Sequence, residues 1–149
     1  MSENKMNIIS SSAPYSNIEK VFETLIDTLP AFKESENYAE IIGGYEKKEE
    51  RLYYLDIDAF SHHIVGCILE KNELNVEKLF LTVEDIFEKT KSDDVETFLV
   101  TGFLESLQNH MINQKLVLET IEKHLKPKTK HYWLETIDFW EKGEAITDA

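Results

Sequence analysis

The sequence has one cysteine, Cys67, and one arginine, Arg51, among its 149 residues. A lone cysteine cannot close an internal disulfide, which is typical of proteins in a reducing compartment. A lone arginine almost removes the side chain that binds phosphate in a bidentate manner. Only 16 basic residues oppose 29 acidic ones, giving a formal net charge of −13. Because phosphate binding needs clustered positive charge, these shortages argue against a nucleic-acid ligand.

Long apolar runs are also missing. The longest uncharged apolar run covers residues 64–69, which is far too short to cross a bilayer. The first nine residues lack the apolar stretch of a signal peptide. We therefore expect a cytoplasmic protein without membrane contact. The five glycines are scattered and form no phosphate-binding loop, so no cofactor is expected.

Apolar residues recur instead at helical spacing along most of the chain. Ser16 and Glu19 have the spacing of a capping box, Asp56 or Asp58 is a candidate N-cap, and Ser92 caps a later helix. No segment after residue 58 alternates like a β-strand. The pattern predicts an all-α protein with one domain over residues 16–142, about six antiparallel amphipathic helices, and flexible tails over residues 1–15 and 143–149.

Two arrangements of these helices are compatible with the sequence. The segments VEKLFLT, from Val76, and VETFLVT, from Val95, match in residue type. Such a repeat favours an α-solenoid of the HEAT type, whereas an irregular helical bundle explains the same amphipathic pattern. Residues 30–57 are not assigned from the pattern.

The segment SHHIVGC, residues 61–67, contains two of the five histidines and the only cysteine. On a helix, neighbouring side chains point roughly 100° apart, so His62 and His63 cannot share a metal ion without distortion. The apolar stripe predicts that His62 faces solvent, that His63 lies at the stripe's edge and that Cys67 is buried. A buried thiol is a poor nucleophile, and zinc needs more ligands than this segment offers. We predict a structural role for the segment.

Carboxylates offer the only other candidate chemistry. Asp56 and Asp58 begin like a calcium loop, but Phe60 occupies a ligand position and the required glycine is missing. The pair Glu84 and Glu88 has the helical spacing of a metal site, although such pairs are more often solvated. We therefore predict no enzymatic activity and no metal, and keep a metal-dependent hydrolase using these residues as the weaker alternative.

The acidic excess is concentrated between residues 70 and 96, where nine acids face four lysines. An acidic surface can simply keep a protein soluble, or it can attract a basic partner and raise the association rate. Six residues are candidates for binding such a partner: Glu77, Glu84, Asp85, Glu88, Asp93 and Asp94.

Three segments carry a resemblance to a known group of proteins: LFLTVEDIF, SDDVETFLVTGFLESLQN and LKPKTKHYWLETIDFW. They resemble a family of small, uncharacterised, all-helical bacterial proteins, over roughly residues 52–141. The shared features correspond to Glu84, to Phe103-Leu104-Glu105, and to Pro127, Thr129 and Trp140. Such proteins often look like the immunity partners encoded beside polymorphic or contact-dependent toxins, and the resemblance implies no catalytic residues.

The leading hypothesis is thus a protein-binding module, most plausibly an immunity protein that occludes a basic toxin domain such as a nuclease. A helical adaptor or scaffold with another protein partner is the first alternative. The sequence does not predict the oligomeric state.

Overall fold

A computed structural model of the chain describes residues 15–43, 52–71 and 73–148. In chain order its elements are α1 (Ile18–Asp27), a 3₁₀ turn (Pro30–Phe32), α2 (Glu36–Gly43), α3 (Tyr53–Leu69), α4 (Glu73–Lys89), α5 (Asp93–Thr97), a π-helical segment (Phe98–Leu104), α6 (Glu105–His110), α7 (Lys115–His124) and α8 (Pro127–Asp148). The described residues contain no strand. The prediction of an all-α fold is confirmed.

Helix α3 lies at the centre of the fold. It packs against α1, α2, α4, the π-segment, α6 and α7, and its residues Ile57, Phe60 and Ile64 are fully buried. Helix α8 closes the core from the other side of α4 and the π-segment, placing the fully buried Trp133 inside. The buried faces follow the predicted apolar stripes, because burial of apolar surface is the main favourable term in folding.

Two predicted helix starts are wrong. The Asn17 side chain, and not Ser16, caps α1 by accepting a hydrogen bond from the Lys20 backbone N–H at 2.9 Å. Helix α3 begins at Tyr53 with Leu52 at the N-cap position, so Asp56 and Asp58 lie inside the helix and neither is its N-cap residue. The Ser92 cap is confirmed, since its hydroxyl accepts the Val95 backbone N–H at 3.2 Å.

The helix after Ser92 is not regular. Helices α5 and α6 are joined without a break by seven residues of π-helix, where the sequence predicts ordinary α-helix. Gly102 lies in this segment, and a Cβ atom there would come within 3.1 Å of the Tyr54 ring. Gly102 therefore allows α3 and the π-segment to approach each other closely.

The first described residue, Tyr15, and the end of the last helix, α8, lie in the stretches that the sequence assigns to tails. Residues 1–14 lie outside the described residues, but Tyr15 is bound to α4 through its hydroxyl and its carbonyl oxygen. The backbone of α8 continues to Asp148, through most of the stretch that the sequence assigns to a C-terminal tail.

None of the described helices is both long enough and apolar enough to cross a membrane.

Candidate protein-binding surface

The SHHIVGC segment lies on α3 as predicted. His62 is exposed, His63 is half-buried and Cys67 is buried. The Cys67 Sγ lies 3.5 Å from His63 Nε2. Burial raises the pKa of the Cys67 thiol and lowers the pKa of His63, so the two groups stay neutral rather than forming a thiolate–imidazolium pair. This environment supports a structural role for the segment.

Glu84 is one of the six candidate partner-binding residues, but its side chain points inward and is only 8% exposed. Its carboxylate accepts the backbone N–H groups of Lys128 at 3.1 Å and Thr129 at 2.9 Å, and the Thr129 hydroxyl at 2.9 Å. Burial alone would raise the pKa of Glu84, but these hydrogen bonds outweigh it and hold the pKa below its ordinary value. Glu84 thus caps the N-terminus of α8, where four backbone N–H groups lack helical partners and a negative charge is favourable.

Asp85 is also held within the fold. Its carboxylate accepts the Tyr15 hydroxyl at 2.5 Å and pairs with Lys89 Nζ at 2.8 Å. The Lys89 and Tyr15 hydrogen bonds lower the pKa of Asp85. The tyrosine pKa is correspondingly raised to about 12, by burial and by its bond to this carboxylate. Asp85 therefore fastens the start of the described chain to α4.

The other four candidates are exposed to solvent: Glu77, Glu88, Asp93 and Asp94. Glu77 and Glu88 lie on α4, and the two aspartates form the first turn of α5. The aspartates complement the positive end of that helix, and they remain accessible to a partner. The structure thus divides the predicted acidic set into the buried Glu84, the partly exposed Asp85 that is paired within the fold, and four exposed residues.

Among the carboxylates of the hydrolase alternative, Glu84 and Glu88 lie in hydrogen-bond contact with each other. Asp56 is buried on α3, whereas Asp58 lies 3.0 Å from His110 Nε2 on α6. Glu84 is occupied by the α8 cap. Within residues 15–43, 52–71 and 73–148, no three His, Cys, Asp or Glu side chains are arranged to hold a metal ion.

An apolar groove lies where α1 meets the start of α3. Ile18, Glu19 and residues 52–55 line it, and it encloses about 430 Å³. Leu52, Tyr54 and Leu55 are 56%, 43% and 64% exposed. The Tyr54 ring packs against Phe98, one helical turn after Asp94, so the acidic turn of α5 lies beside the groove. Burial, and after it the Asp94 carboxylate, raises the pKa of Tyr54. We call this feature the acidic groove.

A second cleft of about 290 Å³ lies between the π-segment and α8. Val100, Thr101, Glu105, Glu135 and Thr136 line it. Thr101 precedes Gly102, against which Tyr54 of the acidic groove packs. The two concave features therefore flank the same helix.

The model of a domain of unknown function, DUF7674, matches residues 22–141. The chain belongs to the DUF7674 family. No curated protein and no solved structure matches the chain. The matched region starts within α1 and so extends beyond the resemblance found from the sequence, which began near residue 52.

Two of the positions that carry the resemblance to small helical bacterial proteins, Glu84 and Thr129, are hydrogen-bonded to each other at the N-terminus of α8, which begins at Pro127. Phe103 and Leu104 are fully buried, and Glu105 lines the second cleft. Trp140 lies on α8, but its side chain is outside the described residues.

Sequence reasoning missed the acidic groove, although a signal was present. Residues 52–55 are four consecutive large apolar side chains. At about 100° per residue they surround a helix rather than lie on one face, so some of them must be exposed once the segment is helical. The ambiguity between helix and strand for this segment concealed that consequence.

Proposed function

We propose that this DUF7674 chain is a non-catalytic protein-binding domain whose partner is a basic protein. The observation that carries the proposal is the division of its acids. Glu77, Glu88, Asp93 and Asp94 remain on the surface, and the two aspartates belong to the acidic turn beside the exposed apolar groove, within a chain of net charge −13. Complementary charge speeds association, and exposed apolar patches mark protein-binding surfaces.

The biological form that we propose is toxin immunity in the cytoplasm, by occlusion of a basic toxin domain. The support for this form is the resemblance in residues 52–141 to proteins that look like toxin immunity partners. A helical adaptor for another basic protein is the alternative, and the same surface would serve it. In both cases the chain contributes binding and no chemical step.

Co-expression tests the immunity form. The protein encoded immediately upstream is produced with and without this chain, and growth is followed. We expect the upstream protein to be toxic and this chain to restore growth. Absence of a toxic neighbour across the family would contradict the immunity form and leave the adaptor.

Charge reversal tests the role of the surface acids. The variant Asp93→Lys/Asp94→Lys should slow association with the basic partner by about 10-fold or more at low salt, because steering depends on the local field. A matched control, Glu119→Lys/Glu122→Lys, reverses two exposed acids on α7. Association rates are measured by stopped-flow or surface plasmon resonance at two salt concentrations. Equal rates for the two variants would exclude the α5 acids as the steering site.

A further inference from the structure

The acidic groove concentrates exposed apolar surface at one corner of the molecule. Leu52, Tyr54 and Leu55 lie within a single helical turn, and all are at least 43% exposed. Among the other exposed apolar residues of the described chain, Ile112 and Leu116 lie near the start of α7, and Leu69, Leu81 and Leu134 are spread over three further helices. Single exposed apolar residues are ordinary, whereas a contiguous group marks an interaction surface.

The fold uses only part of this apolar surface. One side of the Tyr54 ring packs edge-to-face against Phe98 at 5.3 Å between centroids and covers Gly102. Leu55, by contrast, is 64% exposed, so it contributes little buried area to the folded chain. Its outward apolar side chain contributes mainly to whatever occupies the groove.

Charge indicates what kind of occupant fits. Among the described residues that line the groove, Glu19 is charged and none is basic. Asp94 lies close enough for its charge to act on Tyr54, and Asp93 beside it is exposed. A second copy of this chain would bring two such acidic corners together at a net charge of −13 each, which opposes self-association.

We infer that the acidic groove holds an amphipathic basic segment of the protein partner. A large apolar side chain of that segment lies against Leu52, Tyr54 and Leu55, and its lysine or arginine side chains face the exposed Asp93 and Asp94. The inference rests on the proposed function in one respect, because it takes the occupant to be part of a basic protein. It adds the surface and the chemistry of the bound segment.

A synthetic peptide provides a defined probe. It is made of leucine and lysine at amphipathic helical spacing, with one tryptophan and a length of about 14 residues, near the limit for helix formation. Titration into the ¹⁵N-labelled chain should shift the amide signals of Ile18, Glu19 and residues 52–55. Two comparison peptides replace leucine by serine or lysine by glutamate, and both should bind at least about 10-fold more weakly.

Leu55→Asp is the decisive variant and Leu134→Asp is its matched control, since Leu134 is a 50% exposed leucine on α8. We expect Leu55→Asp to weaken peptide binding at least about 10-fold, as for a central contact residue, and Leu134→Asp to change it by less than about 2-fold. Circular dichroism and thermal unfolding check that both variants remain folded. Equal weakening in both variants, or shifts confined to other surfaces, would overturn the inference.

Two further measurements separate this inference from the proposed function. If Leu55→Asp still protects against the upstream toxin while Asp93→Lys/Asp94→Lys does not, the groove is not the docking site although the function stands. If the peptide maps to the groove but no upstream toxin is neutralised, the groove stands and the immunity form fails. Sedimentation equilibrium tests whether a second copy of this chain occupies the groove. A dimer that Leu55→Asp dissociates would overturn the inference.

Discussion

Glu84 is a candidate partner-binding residue from the sequence, but in the fold it has the structural role of capping α8. The sequence places it in the acidic stretch, one helical turn before Glu88. In the fold its carboxylate accepts three hydrogen bonds from the first turn of α8. It therefore connects α4 to the helix that supplies Trp133 to the core.

Replacing Glu84 should destabilise the protein without abolishing surface binding. Glu84→Ala leaves two backbone N–H groups and a hydroxyl without their acceptor, and loses a favourable charge at a helix N-terminus. We expect the free energy of unfolding to fall by about 2–3 kcal/mol, measured by urea denaturation. Glu77→Ala, an exposed glutamate on the same helix, should change it by less than about 0.5 kcal/mol. Equal effects would contradict the capping role.

The same contact predicts an effect of pH. The pKa of Glu84 is lower in the folded chain than its ordinary value. Its ionised form therefore contributes stability at pH values above the unfolded pKa of about 4.3, and this contribution is lost as the pH falls through the lower folded pKa. Asp85 behaves in the same direction, so the test is the difference in stability between the native chain and Glu84→Gln. That difference should shrink as the pH is lowered from about 6 to about 3.

The spacing of the buried residues in the π-segment explains why this segment is wound more widely than an α-helix. Phe98, Leu99, Gly102, Phe103 and Leu104 are all buried. At 100° per residue these positions would span roughly 240° of an α-helix. At roughly 4.4 residues per turn they span only about 160°, so the wider winding turns five buried residues toward one side. The core benefits from this winding more than the backbone loses by leaving regular α-geometry.

Gly102 and Tyr54 should be energetically coupled. Alanine at a helical glycine is intrinsically favourable by roughly 1 kcal/mol, but here its Cβ would lie 3.1 Å from the Tyr54 ring. We expect Gly102→Ala to be less favourable in the native chain than in a Tyr54→Ala background, by about 0.5–1 kcal/mol. A double-mutant cycle from thermal unfolding measures this difference. Additive effects would show that the ring moves aside without cost.

At the scale of the whole molecule, the large net negative charge affects the stability of the folded chain. The net charge of −13 implies repulsion within the folded chain, while exposed ion pairs such as Lys33–Asp27 contribute little stability. Raising the ionic strength from about 0.01 M to 0.15 M shortens the screening length from about 30 Å to 8 Å. We expect the melting temperature to rise by about 2–5 °C as repulsion is screened. Choline chloride is the control, because an increase seen only with sodium chloride would indicate sodium binding.

Charge screening also separates the folded chain's stability from its binding. Added salt should stabilise the chain and, at the same time, slow its association with the basic partner that we propose, because in that proposal the same acids oppose folding and attract the partner. This opposite response is a property of the whole charge distribution. It does not depend on any single residue.

The sequence by itself determined the helical class, the Ser92 cap and the buried thiol. These features depend on local periodicity and on side-chain size, which are present in the sequence. Tertiary structure decided that Glu84 caps a helix more than 40 residues later, that residues 98–104 wind as a π-helix, and that residues 52–55 border a groove. Each of these depends on which helices become neighbours, and that follows from the packing of the whole core rather than from any local pattern.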